Sequence, residues 1–311
     1  MLKLKHRDTI NFSKKDFRDL VYIGVYTSQK CNLRCKYCFE DSSQPAMRET
    51  TLQERIDTIS QAKDLGAEVL LITGAGEPLI DDALFPMIEH AYKLELGTLL
   101  YTNGLEGKNA KPISEESARF LYDHDVTAIV KLESLNPKTH DYLTSVIGSH
   151  RKAIESFQRM RKAGYGNIEN DVTKLGVAAL YTLPTLEELP ELKQWCTDQG
   201  IKLYVDVIGV HGRAKTHKNI IPTQKQILAI QEKMGKESGI ISSGECIFWK
   251  HGLIIDQTGN ARFCTEINTN DIGNIKEHSI KELLNTKNRQ YPSKPGKFTC
   301  PLKSKYYTEK E

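Results

Sequence analysis

A strand-like run, Val21-Tyr-Ile-Gly-Val-Tyr-Thr27, leads after three residues into Cys31-Asn-Leu-Arg-Cys35-Lys-Tyr-Cys38-Phe-Glu40. The three cysteines have the spacing C-x3-C-x2-C, which can hold three irons of a four-iron cluster and leaves the fourth iron without a protein thiolate. A zinc site more usually shows C-x2-C pairs and four ligands close together. The open iron predicts a place where a cofactor binds. A structural zinc site or a chance cluster of cysteines is the alternative.

A second buried strand, Val69-Leu-Leu-Ile-Thr73, runs into the turn Gly74-Ala-Gly-Glu-Pro78. Glycines in such a turn let backbone groups approach a ligand closely, because no side chain stands in the way. The carboxyl ends of parallel strands share one edge of a sheet, so the cysteine loop and this turn are expected side by side. A glycine turn is common in α/β proteins. Its order and spacing after the cysteine loop therefore carry the argument.

Together these motifs make the chain resemble the radical S-adenosylmethionine (SAM) superfamily. Its signature is the CxxxCxxC loop with an aromatic residue before the last cysteine, and its glycine turn usually reads Gly-Gly-Glu, where this chain has Ala75-Gly76-Glu77. The resemblance implies a [4Fe–4S] cluster on Cys31, Cys35 and Cys38, with SAM on the open iron. It also implies reductive cleavage of SAM to a 5′-deoxyadenosyl radical that takes hydrogen from a substrate. The residues it assigns to SAM are Tyr37, Gly74, Gly76, Glu77, Ser134 and Arg213.

Apolar runs alternate with amphipathic stretches along the chain, which predicts six β–α repeats and a parallel sheet covered by helices. The predicted strands lie near 21–27, 68–73, 97–101, 127–133, 174–181 and 201–207. The predicted helices lie near 51–66, 82–95, 113–123, 149–163 and 186–199. The fold class is α/β, and the resemblance makes it a partial (β/α)6 barrel with a small C-terminal hairpin-plus-helix extension that binds a cluster. The expected domains are a barrel over 1–215, a linker helix over 216–243 and a cluster domain over 244–311.

Polar side chains near two strand ends are candidates for catalysis. Strand alternation places Lys131 and Glu133 on the same face of their strand. It likewise places Tyr204 and Asp206 on the same face of a later strand. Charges beneath helices would be costly to bury, so the interior of the barrel is favoured for these four. Cys196 is a further candidate as a hydrogen donor, although its amphipathic helix favours a buried structural thiol.

A second set of cysteines follows the barrel. Cys246 and Cys264 bracket a predicted β-hairpin, which would bring them together at its base, and Cys300 follows a short helix predicted over 279–284. This order resembles the twitch extension, a shortened SPASM domain, and implies a second [4Fe–4S] cluster. Twitch domains often end in a Cys-x2-Cys pair that this chain lacks, so the fourth iron is open or has another ligand. A zinc ribbon using His251 and His278 is the alternative.

The composition of the chain limits which classes of binding partner are expected. The 311 residues carry 43 basic and 40 acidic side chains, a net charge of +3, which does not favour nucleic acid or an anionic membrane. The N-terminus lacks the apolar core of a signal peptide, and no apolar run could span a bilayer. Seven cysteines in such a chain indicate metal or cluster ligation rather than disulfides. A cytoplasmic protein is expected.

The expected reaction is oxidation of a small polar substrate (a sugar, aminocyclitol or nucleotide), with a flavodoxin- or ferredoxin-type electron donor. The first strand begins near residue 21, which leaves no room for the leader-binding domain that peptide-modifying relatives commonly carry. Modification of a ribosomal peptide, by cross-linking or epimerisation, is the alternative reaction. A non-enzymatic metal-binding interaction module is the alternative from another class.

Overall fold

Parallel strands form the centre of this molecule. The computed structural model describes residues 2–16, 19–43, 45–235, 250–262, 264 and 272–290. Its strands are β1 (Lys3–Leu4), β2 (Tyr22–Thr27), β3 (Val69–Gly74), β4 (Gly97–Thr102), β5 (Leu105–Glu106), β6 (Lys111–Pro112), β7 (Val126–Lys131), β8 (Val172–Thr173), β9 (Leu175–Leu180), β10 (Lys202–Asp206), β11 (Gly252–Ile255) and β12 (Ala261–Arg262). The main sheet has the order β10-β9-β7-β4-β3-β2-β11-β12, and every neighbouring pair is parallel except the hairpin β11–β12.

Helices cover the outer face of this sheet. They are α1 (Leu52–Asp64), α2 (Leu84–Lys93), α3 (Glu115–Asp123), α4 (Pro137–Thr144), α5 (Ser149–Met160), α6 (Leu189–Asp198), α7 (Gln224–Met234) and α8 (Ile280–Gln290). The apolar sides of all of these helices except α4, together with every second residue of the strands, form one large buried core. Leu143 of α4 instead packs in a smaller cluster with Tyr37. None of the described helices is long and apolar enough to cross a membrane.

The predicted repeats are confirmed. Each predicted strand and helix of the barrel is present, with ends that differ from the prediction by a few residues. The predicted hairpin is also present, as β11 and β12, but β11 pairs in parallel with β2 and so extends the main sheet. The helix predicted over 279–284 continues to Gln290.

The inner face of the sheet is covered by the N-terminal segment, residues 2–12, which sequence reasoning did not place. Leu4, Ile10 and Phe12 pack against apolar residues of β2, β3, β4 and β7. The segment is anchored by β1, which pairs in parallel with β8. The loops that carry the motifs lie at the carboxyl-terminal ends of the strands, which this segment leaves uncovered.

Candidate functional site

The cysteine loop follows β2 and is fixed by its backbone. Arg34 N donates to Thr144 O at 3.1 Å and Lys36 N donates to Leu143 O at 2.8 Å, so the C-terminal end of α4 supports the middle of the loop. Leu33 is buried against the segment between β4 and β6. The loop therefore has a defined shape before any cofactor binds.

Burial raises the pKa values of two thiols of this loop. Desolvation, with the nearby Glu77 carboxylate, raises the pKa of Cys31 to about 12, and desolvation raises the pKa of Cys35 further. Such thiols carry protons at neutral pH, and a bound metal centre replaces those protons. Among the described residues, no three His, Cys, Asp or Glu side chains converge tightly enough for a single metal ion.

Ser42 joins the three loops of the site, and sequence reasoning missed it. Its amide N–H donates to Cys38 Sγ at 3.5 Å, and its hydroxyl lies 3.4 Å from the same sulfur and donates to Ala75 O of the glycine turn. Its carbonyl accepts from Arg34 Nη1 at 3.1 Å and from Arg213 Nη2 at 2.8 Å. Hydrogen bonds to the sulfurs tune the reduction potential of an iron–sulfur cluster, and the Ser42 N–H on Cys38 Sγ fits this arrangement.

The glycine turn packs directly on the cysteine loop. A Cβ on Gly76 would lie 1.8 Å from Lys30 O, and a Cβ on Gly74 would lie 1.9 Å from Gly76 O. The close approach that requires Gly76 is therefore to this chain's own backbone, whereas the sequence argument assigned it to a ligand. Glu77 N donates to Lys30 O at 2.8 Å and completes the contact.

Glu77 is buried at the base of this turn. Its carboxylate accepts from Asn103 N at 2.7 Å, from Leu79 N at 3.0 Å and from the Thr102 hydroxyl. Desolvation raises the pKa of Glu77 to about 7, although these three bonds oppose the rise. Asn103 Nδ2 in turn donates to Asn32 Oδ1 at 2.8 Å, so the turn after β4 is tied to the cysteine loop as well.

Lys131 and Glu133 lie beside the cysteine loop, at the level predicted for them. Lys131 Nζ is 2.9 Å from Glu133 Oε1, off the hydrogen-bonding direction, and 5.0 Å from the centre of the Tyr37 ring. Glu133 is fully buried, and its Oε2 accepts from Leu180 N at 2.9 Å. Burial raises the pKa of Tyr37 well above its usual value, and the nearby Cys35 and Glu133 add to the rise. Tyr37 and Glu133 are therefore buried polar neighbours between the half-buried Cys35 and Lys131.

The other candidates for SAM differ in how free their polar atoms are. The Ser134 hydroxyl donates to Glu188 and accepts from Asn136 N at 2.8 Å, so its proton is used and it can offer SAM only an acceptor position. Arg213 follows β10 and packs on the cysteine loop, because its backbone N–H donates to Cys38 O at 2.8 Å. Its guanidinium also forms an ion pair with Asp41 at 3.3 Å.

Tyr204 faces the interior, as predicted, where it meets the N-terminal segment. The Tyr204 hydroxyl donates to Asp8 at 2.6 Å, and the Arg7 guanidinium lies 3.4 Å from the centre of the Tyr204 ring. Arg7 Nη1 is buried and has no hydrogen-bond partner among the described residues. Asp206 is close enough to Arg7 and Tyr101 to affect the pKa of both.

The remaining cysteines fall in different places. Cys196 belongs to α6 and is buried in the outer core, where desolvation raises its pKa, as expected of a structural thiol. Cys264 lies just after β12 and packs against the same core. Cys246 and Cys300 lie outside the described residues, so the predicted second cluster stays a prediction. His251 lies before β11 and stacks on Phe12, and its Nδ1 lies 3.3 Å from Asp19 O.

A model of the Radical SAM superfamily matches residues 25–196 of the chain, from β2 to α6. The chain belongs to the radical SAM superfamily. The match spans the cysteine loop, the glycine turn and the strand end at Lys131, so the resemblance drawn from these motifs is confirmed. The twitch or SPASM part of that resemblance is not covered by the match and stays a prediction.

Curated relatives of this radical SAM chain differ in their reactions. Pre-heme d1 synthase of Dinoroseobacter shibae is 26% identical over 193 residues, which cover 61% of this chain and 44% of that protein. A GTP 3′,8-cyclase of Clostridium perfringens is 25% identical over 237 residues, covering 74% of this chain and 67% of that enzyme. The chain spans about half the length of the synthase and of a GTP 3′,8-cyclase from Peptoclostridium acidaminophilum, at 44% and 48%.

Solved structures share the fold of this chain. Streptococcus suis SuiB bound to SAM has a TM-score of 0.65 and 17% identity, covering 93% of this chain and 68% of SuiB. The protein anSMEcpe, with bound AdoMet and the Cp18Cys peptide, has a TM-score of 0.60 and 16% identity, covering 87% of this chain and 82% of that one. With the family match, these likenesses confirm the predicted α/β fold and its partial barrel.

Proposed function

We propose that this protein is a radical SAM enzyme in which Cys31, Cys35 and Cys38 hold a [4Fe–4S] cluster. The observation that carries the proposal is the convergence of the cysteine loop, the glycine turn and the Arg213 segment on Ser42. When bound, the cluster and SAM supply a 5′-deoxyadenosyl radical, which takes a hydrogen atom from a carbon of the substrate.

The residues around the thiols have separate proposed tasks. Gly74, Gly76 and Glu77 shape the turn that faces the cluster and receive the amino group of SAM, and Arg213 offers a guanidinium to its carboxylate. Tyr37 and Ser134 complete the proposed SAM site. Since the radical would otherwise react with the protein or with buffer, the buried surroundings of Tyr37 and Glu133 also serve to enclose it.

The proposed substrate is a small polar molecule such as a sugar, an aminocyclitol or a nucleotide, and the net reaction oxidises it. Lys131, Glu133 and Asp206 offer donors and acceptors on the inner side of the sheet, which suits hydroxyl or amino groups. Tyr204 would take part only if its hydroxyl exchanged Asp8 for the substrate. A second [4Fe–4S] cluster on Cys246, Cys264 and Cys300 belongs to this proposal, as does a flavodoxin- or ferredoxin-type electron donor.

Modification of a peptide is the second candidate. It is favoured by the fold shared with SuiB over 93% of this chain, since SuiB has also been solved with its precursor peptide SuiA. A peptide delivered by a separate protein would need no leader-binding domain in this chain. The two candidates differ in the size of the molecule that gives up hydrogen.

The cluster is tested by iron and sulfide analysis after anaerobic reconstitution, with SAM and dithionite added. We compare the wild type with a Cys31/Cys35/Cys38→Ala triple variant. The proposal expects the variant to lose about four irons per chain and all formation of 5′-deoxyadenosine. Bound zinc in the wild type and no cleavage of SAM would favour the metal-binding module.

The substrate is tested with an extract of cells grown in deuterated medium, divided by ultrafiltration into small molecules and macromolecules. Deuterium in 5′-deoxyadenosine is measured by mass spectrometry after incubation with each fraction. Label from the small molecules supports the first candidate. Label from the macromolecules alone supports the peptide.

A further inference from the structure

Arg262, at the end of β12, is a buried charge that joins the hairpin to the cysteine loop. Its Nε and Nη2 lie 3.0 and 2.8 Å from Asp256 Oδ2, and its Nη1 lies 3.1 Å from Glu40 Oε1. The guanidinium also stands 5.7 Å from the centre of the Tyr26 ring, at the end of β2. One side chain of the hairpin therefore binds carboxylates of two separate segments.

Contacts within the hairpin orient Arg262 without any contribution from Glu40. Asp256 Oδ1 accepts from Thr258 N at 2.8 Å and from Asn260 N at 3.0 Å, so this carboxylate is part of the turn between β11 and β12. The turn thus orients Asp256, and Asp256 orients the guanidinium. Since a lysine has no planar fork, it could not satisfy both carboxylates in this geometry.

Glu40 lies two residues after Cys38, in the stretch by which the chain leaves the cysteine loop. Arg213 also contacts this stretch. Its backbone N–H donates to Cys38 O at 2.8 Å, and its guanidinium forms an ion pair with Asp41 at 3.3 Å. Asp41 has a φ of +52°, in the left-handed region that aspartate adopts more readily than most residues with a side chain. Two arginines from distant parts of the chain thus fix the exit of the loop.

We propose that Arg262 is a positioning residue for the cysteine loop. The hairpin binds Glu40 through Arg262, and the position of Glu40 fixes the orientation of Cys38. The proposal rests on the function proposed for Cys38. It gives the hairpin a task in the first cluster site that does not depend on whether Cys264 binds a second cluster. Losing a charge-assisted hydrogen bond of this kind raises the population of the locally open loop about tenfold or more.

The test is hydrogen–deuterium exchange of the apo-protein, read in peptides that contain residues 38–43. Three variants are compared with the wild type: Arg262→Met, Arg262→Lys and Glu40→Gln. We expect Arg262→Met and Glu40→Gln each to speed exchange of this stretch about tenfold, and Arg262→Lys to restore little of the protection. Glu40→Gln leaves the pair Arg262–Asp256 in place, so it tests the contact even if Arg262→Met unfolds the hairpin.

The matched control is Ser279→Ala, which removes the N-terminal cap of α8 and leaves the hairpin turn intact. The Ser279 hydroxyl accepts from Glu282 N at 3.3 Å and donates to the Glu282 carboxylate at 2.8 Å. We expect this variant to melt earlier and to leave exchange at residues 38–43 unchanged. Unchanged exchange in Glu40→Gln, or equally fast exchange in Ser279→Ala, overturns the proposal.

A second readout uses the reconstituted protein. The background is Cys246/Cys264/Cys300→Ala, in which only the first three cysteines can hold a cluster. Iron release to an excess of chelator is expected to be about tenfold faster when Arg262→Met is added to this background. Equal rates of release would contradict the proposal. Failure of the wild type to bind iron would instead sink the proposed function, because the exchange experiment on the apo-protein needs no cluster.

Discussion

At the scale of single residues, Ser42 binds Cys38, Ala75 and two arginine side chains at once. Ser42→Ala removes the hydroxyl and leaves Ala75 O without this donor, at a cost of about 1–2 kcal/mol. We expect a lower melting temperature of the apo-protein and a lower iron content after reconstitution. Ser43→Ala, the next position in the chain, is the control. Iron content equal to the wild type in Ser42→Ala would contradict the role of this hydroxyl.

Glu77 makes the stability of the apo-protein depend on pH. Its pKa in the folded protein, about 7, lies above the ordinary value of 4.5 because the carboxyl is desolvated. A raised pKa means that the folded state favours the protonated form, so the stability that Glu77 contributes is present below pH 4.5 and is lost as pH rises through 7. The loss amounts to about 3 kcal/mol.

Glu77→Gln tests this dependence, because glutamine keeps the shape of the side chain and does not ionise. We expect the free energy of unfolding of the variant, relative to the wild type, to increase between pH 5 and pH 8 by about 3 kcal/mol. Glu116→Gln, on an exposed position of α3, is the matched control and should show no such trend. A difference between Glu77→Gln and wild type that stays constant with pH would rule out the raised pKa.

Single residues also show what sequence could predict. Cys31, Cys35, Cys38 and Glu77 are predicted as site residues because short spacings in the sequence single them out. Ser42 carries no such signal, since its importance comes from bonds to residues far away in sequence. The same is true of Arg262, whose partner Glu40 lies 222 positions earlier.

At the scale of elements, the glycine turn after β3 leaves no space for a side chain at Gly76. Gly76→Ala would place a methyl group 1.8 Å from Lys30 O, and the turn would have to move away from the cysteine loop. We expect a loss of several kcal/mol in stability and failure to retain iron. Gly166→Ala, where the nearest atom is 3.6 Å from the new Cβ, should behave like the wild type. Normal iron retention in Gly76→Ala would show that the two loops are not packed as described.

The N-terminal segment is fastened by Asp125, before β7. Its carboxylate lies 2.7 Å from Lys5 Nζ, 3.1 Å from His6 Nε2 and 2.6 Å from Lys174 Nζ. Although burial alone would raise the pKa of Asp125, hydrogen bonds from His6, Lys174 and Lys5 hold it well below its usual value. The stabilisation is therefore present at neutral pH and is lost in acid, below the ordinary value of 3.8.

Asp125→Asn keeps a residue that tolerates the φ of +56° at this position while removing the charge. At neutral pH we expect a lower melting temperature and faster cleavage by trypsin after Lys3 and Lys5. Asp123→Asn, which removes an exposed pair with Arg119, should change neither. Undiminished protection of Lys5 in Asp125→Asn would mean that the segment is held by its apolar contacts alone.

Local periodicity explains which elements the sequence predicted. The six strands and five helices of the barrel show alternation or a helical repeat within a few residues, so their positions followed from the chain alone. The joining of β11 to β2 was not predictable in this way, because it depends on residues more than two hundred positions apart. The same reason explains why the N-terminal segment was not placed on the inner face.

At the scale of the whole molecule, one parallel sheet brings the cysteine loop, the glycine turn and the Arg213 segment to a common edge. The hairpin adds two strands at the β2 side of that sheet and reaches the same loop through Arg262. Family membership follows from residues 25–196, and the contacts described above show how the rest of the described chain supports that region.

The central claim is that the cluster held by Cys31, Cys35 and Cys38 binds SAM. Electron paramagnetic resonance of the dithionite-reduced protein, with and without SAM, tests this most directly. The variant to use is Cys246/Cys264/Cys300→Ala, since any signal it retains must come from the first three cysteines. The account predicts a [4Fe–4S]+ signal whose g-values shift when SAM is added. A signal that SAM leaves unchanged, or no signal in this variant, would contradict it.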